Sequence, residues 1–366
     1  LKELIKNRKQ GNHHHFGKEI KVKTLKMIIV AVWILGLVIA QGCGGPKTAK
    51  KPAAAGGKVL FTVDFEEGKT LRYKFVTNRT TEILLAGPAD EQKNKTNKYT
   101  ESMEMVMAYN PVKVDPYGLT TIEAKCESVK VTKNLPTGSR KEAAENFAGK
   151  TFTFTVGPSG KIADYSSMEA LINETAEKAF RESSNQGRIK EPDMVNDFLA
   201  TQWFLWDSVS SIPQPAKGVA PGQSWKSQMS LPVSLIMHQA REVEYKLQEI
   251  QDTPNGKIAV IDSNYSLAKS PPQGWRIPYR GSFMMSGPFG FYINCRASDL
   301  QGSGKEHFNI DTGKSIDYEQ SYKMNVTAAL MIPLGGVNPK ITVEQKLSMQ
   351  LLNDTVNTAS GAGGGK

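Results

Sequence analysis

Few side chains in this 366-residue chain have the type and spacing to do chemistry. Asp311-Thr312-Gly313 is the first candidate. An aspartate presented in that way can share a proton with a second carboxylate about 3 Å away and activate water. Only one copy is present, a charged Lys314 follows it, and Asp-Thr-Gly-Lys is good turn chemistry in its own right. Gly313-Lys314-Ser315 and Gly302-Ser303-Gly304-Lys305 have the residue types of a phosphate-cradling loop. Neither has the spaced first glycine or the following helix that would aim N–H groups at a phosphate. His238 and His307 each lack a second ligand nearby in sequence, and His13-His14-His15 sits in an aperiodic basic stretch. These residues imply no catalytic site, no metal site and no cofactor. The remaining reactive groups are three thiols, Cys43, Cys126 and Cys295.

Cys43 stands out by its surroundings. An apolar run of fourteen residues, Met27 to Ala40, leads into Gln41-Gly42-Cys43, and Lys21, Lys23 and Lys26 precede it. A basic region, a short apolar core and small residues before a cut are the layout of an export signal. The core is shorter than the roughly 20 apolar residues of a spanning helix. The stretch resembles a lipobox, with Gln41 where a smaller or branched residue is commoner. That resemblance implies a bacterial envelope lipoprotein, cut between Gly42 and Cys43, with a covalent lipid on Cys43. Two or three acyl chains on one residue hold a membrane far better than one. Gly44 rather than an acidic residue follows the cysteine, so the resemblance points to the outer membrane, facing the periplasm.

The charge balance changes once that segment is set aside. The whole chain carries +10, but residues 1–42 hold eight Lys/Arg and two Asp/Glu, leaving 38 against 34 and a balance of +4. No basic stripe or interleaved aromatic motif remains, so no nucleic-acid partner is expected. The expected partners are the membrane, through the anchor, and either a hydrophobic ligand or another envelope protein. Cys126 and Cys295 lie in alternating runs, Ile122-Ala124-Cys126 and Phe291-Ile293-Cys295-Ala297. They are a candidate disulfide, closing a loop worth roughly 5 kcal/mol in the chain-entropy picture, against the alternative of two buried thiols that never meet.

The elements that must position these residues are mostly strands. Residues 1–42 read as an upstream extension and signal peptide, and 43–57 as the lipidated cysteine and a flexible Gly/Ala/Pro/Lys tether. Residues 58–165 alternate with period two, with Tyr99, Met103, Met105, Met107 and Tyr109 on one face and a turn at Gly157-Pro158-Ser159-Gly160. From 166 to 215 the period becomes 3.6. Ser166 and Glu169 fit a capping box, Leu171 and Ile172 share a face, and a second helix starts near Pro192 and carries Phe198 and Trp206. Alternation returns over 216–352, most clearly in Tyr322 to Leu330 and Ile341 to Leu351. The Gly-rich residues 353–366 are an expected disordered tail.

The expected fold is α+β but mainly β: two curved antiparallel sheets, half-barrel-like lobes with a helical segment between them. Two local echoes support an internal duplication. Gly160 and Gly313 are 153 residues apart in similar hairpins, and Gly68-Lys-Thr-Leu and Gly222-Gln-Ser-Trp are offset by 154. Met103, Met105, Met107, Trp206, Met324 and Met349 could line an apolar groove, since Met adapts to varied apolar partners, or simply fill a core. The pattern is similar to half-barrel lipoprotein carriers. It also resembles uncharacterised two-lobed envelope lipoproteins with a Pro-Gly-x-Ser-Trp segment, here Pro221 to Trp225. Those resemblances imply a lipid-anchored protein with a non-catalytic binding or scaffolding role, or a carrier of a hydrophobic ligand, with a hydrolase as the remaining alternative.

Overall fold

In the computed structural model, the described residues are 57–85, 95–134, 142–184, 194–231, 239–270, 285–287, 290–330 and 339–352. Cys43, the signal-like run, His238 and the tail lie outside them. So does Pro192, the expected start of the second helix.

The first arm of the sheet is a meander of β1 (Leu71–Leu85), β2 (Lys95–Val114), β3 (Thr120–Asn134), β4 (Thr151–Val156) and β5 (Ile162–Asp164). Helices α1 (Ser166–Ser184), α2 (Val195–Phe204) and α3 (Asp207–Ser210) follow. The second arm is β6 (Ser224–Ser230), β7 (Ala240–Thr253), β8 (Gly256–Leu267), β9 (Met285–Gly287), β10 (Gly290–Asn309), β11 (Lys314–Leu330) and β12 (Lys340–Leu352). Every pairing is antiparallel. The order is β5-β4-β3-β2-β1-β12-β11-β10-β8-β7-β6, with β9 paired only to β10.

The protein is thus mainly β, with one large open sheet whose ends, β5 and β6, do not meet. The expected pair of sheets is a single sheet, because β1 pairs with β12 from Arg72↔Leu352 to Leu84↔Lys340. The alternating sequence produces this directly. Tyr73, Phe75, Thr77, Arg79 and Ile83 are the inward positions of β1, while Lys74 points to the outer face and pairs there with Glu104 at 2.9 Å.

The helices cover the inner face through the residues their periodicity singled out. Ile172, Phe198 and Trp206 are buried, with Leu171 at the margin of the core. Phe198 stacks on Phe147 at 4.1 Å, and Trp206 meets Phe65, Tyr109 and Phe154. Burying each such side chain is worth roughly 1.5–3 kcal/mol. The start of α1 differs from the capping-box reading. Ser166 is already helical, and its N–H is taken at 3.0 Å by Oδ1 of Asp164, two residues upstream. Those bonds to Ser166 hold the Asp164 carboxyl below its ordinary range.

A strap made of residues 58–65 crosses one end of the sheet. Val59 bridges Val219 beside the second arm. The Val63 N–H then bonds Pro158 O at 2.8 Å, and the next N–H, of Asp64, bonds Gly313 O at 3.3 Å. Those two hairpin tips, β4–β5 and β10–β11, are separated in the sheet by β3, β2, β1 and β12. At about 4.8 Å per strand, a flat sheet would hold them more than 20 Å apart. Contact with neighbouring residues of one strap therefore requires the sheet to bend. Phe61 fills the resulting space against Phe308 at 5.6 Å and Trp225 at 6.5 Å.

Gly313 is where this closure is tightest. Its φ is +65°, and a Cβ there would sit 2.5 Å from Asp64 N and 2.7 Å from Thr62 O. Gly68 also has positive φ, +76°, but a Cβ there would meet nothing within 4 Å. Gly68→Ala should cost only the backbone strain of about 1–2 kcal/mol. Gly313→Ala should cost clearly more, because the strap must also move. Denaturant melts of the two variants side by side check this, and equal losses would rule out a tight strap contact.

Candidate functional site

The polar groups that could do chemistry converge on a layer between the sheet and α2–α3. One row of inward side chains runs across five strands at matched register: Lys133, Glu101, Arg79, Gln345 and Tyr322. Charges alternate along it. Lys133 bridges Glu101 at 3.0 Å and Glu142 at 2.9 Å, and Arg79 bridges Glu101 at 3.3 Å. Helix α2 completes the row with Asp197, whose Oδ2 pairs with Arg79 and whose Oδ1 accepts from Gln345 Nε2 at 2.6 Å. Burial opposes the charge on Arg79, but Asp197 and Glu101 outweigh it and hold its pKa above the usual value. Burial likewise opposes the Glu101 charge, and Arg79 with Lys133 overcomes it and lowers the pKa. For Asp197 burial prevails over the pull of Arg79, so its carboxyl is raised.

A second cluster lies along the other arm. Arg241 is fully buried, with its guanidinium over the rings of Phe204 (4.3 Å), Tyr265 (4.8 Å) and Tyr322 (5.1 Å) and a bond to Gln320 Oε1 at 3.0 Å. Such cation–π contacts favour a desolvated cation. Asp207 on α3 accepts from Tyr245 at 2.6 Å and Ser227 at 3.0 Å. Burial raises Asp207 against those bonds. Glu306 accepts from Ser315 at 2.6 Å, and its burial pushes the carboxyl up to about 7. The gap beside it, lined by Phe75, Phe204, Tyr318, Leu347 and Met349, has no volume that a water molecule could occupy. These groups hold helices to the sheet.

The residues singled out by sequence take structural places. Met103, Met105, Met107, Trp206, Met324 and Met349 are all buried and belong to one hydrophobic cluster. Asp311 sits in the β10–β11 turn, with Oδ2 accepting the Lys257 N–H at 2.8 Å. Gly302 and Gly304 lie inside β10, where a Cβ on Gly304 would come within 2.6 Å of Glu319 O. His307 pairs across to Asp317 at 2.6 Å, half in solvent. Among the described residues no group of three His, Cys, Asp or Glu side chains could hold a metal. Cys126 and Cys295 are free thiols, not a disulfide. They sit on β3 and β10, with β2, β1, β12 and β11 between them in the order of the sheet. Burial pushes them to about 12 and about 11.

In the sequence this layer is masked by the apolar members of each strand. Glu101 has the phase of Met103, Arg79 that of Phe75, Gln345 that of Val343, and Arg241 that of Val243. A charged or amide residue in the inward phase of a strand is the signal that finds them.

Removing Arg79 leaves Asp197 buried without its cation. Arg79→Ala should therefore cost about 3–5 kcal/mol, whereas Lys98→Ala, which breaks an exposed pair with Glu82, should stay within about 1 kcal/mol. Urea melts of both variants decide it. Glu306 gives a pH test. Its pKa is higher folded than unfolded, so the native state binds the proton more tightly, and stability is lost as pH rises from the ordinary glutamate range through about 7. Glu306→Gln keeps an acceptor for Ser315 and removes that loss. The variant should exceed the wild type by on the order of 1–3 kcal/mol at pH 8 and by little at pH 4. A pH-independent difference would show that Glu306 is not the group responsible.

Comparison with known proteins adds a family but no activity. No curated protein matches the chain. A lipovitellin structure, concerned with lipid–protein interactions, aligns over 79% of this chain and 26% of its own at 10% identity and a TM-score of 0.41. This chain thus spans about a quarter of that one. DynF from the dynemicin biosynthesis pathway of Micromonospora chersina aligns over 85% of this chain and 95% of its own, at 8% identity and a TM-score of 0.18. Both likenesses are too distant to carry an argument. The match that does carry one covers residues 100–313, more than half of the chain, from within β2 to the β10–β11 turn. The protein belongs to the family of unknown function DUF6263.

Proposed function

We propose that this protein is a lipid-anchored, non-catalytic binding or scaffolding protein of the cell envelope, held by Cys43 in the outer membrane and facing the periplasm. The burial of the Met positions supports the scaffold reading over the carrier. Helices α1–α3 pack onto the same hydrophobic cluster through Ile172, Phe198, Trp206 and Val209, and the Met positions are part of that core. Recognition then falls to the outer face, the turns and the sheet edges. Among the described residues no helix is long and apolar enough to cross a membrane, and the anchor would come from the lipobox-like Gly42-Cys43.

An internal duplication fits the same reading. β1-β2-β3-β4-β5 and β6-β7-β8-β10-β11 run in the same order. The Gly68 N–H bonds Pro111 O at 2.8 Å, and the Gly222 N–H bonds Leu247 O at 2.7 Å, at matching places before each arm's first strand. Two copies of one meander would give two outer surfaces of similar build, which suits a scaffold.

Intact-mass analysis of protein from the membrane fraction tests the anchor. The expected product begins at Cys43 with a diacylglyceryl group, and Cys43→Ser should remain uncut or move to the soluble fraction. A cut elsewhere with no lipid would sink the reading. Lipid extracted in stoichiometric amount from purified Cys43→Ser protein would replace the scaffold by a carrier.

A further inference from the structure

We infer that the tip of the β2–β3 hairpin, Val112 with Tyr117 and Leu119, is a bilayer-contact site that inserts into the headgroup region of the membrane; this rests on the lipid anchor at Cys43. Three large apolar side chains are exposed among the described residues: Val112 at 43%, Tyr117 at 88% and Leu119 at 41%. All three belong to this one hairpin. Scattered single residues would need no explanation, but such a concentration does.

The tip is built to hold them outward. Asp115 Oδ1 accepts the N–H groups of both Tyr117 and Leu119 at 2.8 Å. The Asp115 N–H bonds Leu119 O at 3.0 Å, and the Gly118 N–H bonds Asp115 O at 3.0 Å. Gly118 lies against Pro158, 3.2 Å from where a Cβ would be. The exposure of Tyr117 is thus part of a fixed turn. A phenol ring with an apolar body and a polar tip suits the membrane–water boundary.

Position selects the bilayer as the occupant. Pro158 O accepts the Val63 N–H, and the Gly68 N–H bonds Pro111 O at the base of the hairpin. The strap that begins the described chain therefore ends beside this tip. From Cys43 to Gly57 there are fourteen residues, a length of chain that spans at most about 50 Å. With a lipid on Cys43, even a weak contact of the tip with the bilayer would be made at high effective concentration.

The test uses full-length lipid-bearing protein reconstituted in phosphatidylcholine vesicles. An environment-sensitive fluorophore is placed on Tyr117→Cys in one sample and on Lys98→Cys, near the opposite end of the same strand β2, in another. Unlabelled-site background from Cys126 and Cys295 is read from the wild type. The expected result is a blue shift at position 117 and loss of its emission when the lipid chains are brominated, with neither at position 98. Vesicle flotation without quenching at 117 overturns the tip and leaves the anchor standing. Failure of the protein to float overturns the anchor reading and this inference with it. Shielding of position 117 only after a second envelope protein is added would make the tip a protein contact and overturn the bilayer assignment.

Discussion

The fold turns on a single buried carboxylate. Asp197 faces two strands at once, pairing with Arg79 on β1 and accepting from Gln345 on β12. Those strands are the seam where the two arms of the sheet join. Apolar packing alone would let α2, buried on almost every side, settle in several registers. A desolvated carboxylate with two fixed donors is satisfied in one. The cost of burying the charges is large, and their attraction does little more than offset it. What the pair supplies is position: it ties the helix layer to the line on which the sheet would otherwise come apart.

The strap works on the same problem from the end of the sheet. Residues 63 and 64 bond to hairpins that belong to different arms, and Phe61 fills the space beneath them. Closing that end and covering the inner face with helices leave a dense interior in which Met, Phe and Tyr side chains interlock. The outer face is the opposite, a lattice of exposed pairs such as Arg72–Glu127, Lys226–Glu242 and Lys323–Glu344. Each pair contributes little to stability, but together they keep both signs of charge interspersed over long strands, which discourages edge-to-edge and face-to-face association.

Much of this was legible in the sequence, because strand alternation and the change to a helical period are local properties. The helix contacts through Ile172, Phe198 and Trp206 follow from spacing alone. The pairing of β1 with β12 does not, since nothing local in Leu71–Leu85 names a partner at the far end of the chain. The polar layer was half legible: Glu101, Arg79 and Gln345 are in phase with their apolar neighbours, but phase cannot say that a helix carboxylate waits opposite. Lys133 was hidden by a register shift in the β2–β3 ladder between Val106 and Met107. Cys126 precedes that irregularity and Val129 and Val131 follow it, so inward positions change from even to odd numbers. The missing disulfide has the same origin, because an inward phase gives the face of a strand and not its distance from another.

The β1–β12 seam also dictates when the molecule can become itself. Arg72 pairs with Leu352, so the edge of the first arm has no neighbour until the last strand has been synthesised. The second donor for the α2 carboxylate, Gln345, lies 148 residues beyond Asp197. Contacts this distant in sequence make for slow, late-closing folding, and an unpaired edge as long as β1 can template association in the meantime. A chain delivered from its N-terminus would spend its vulnerable period with one arm formed and waiting.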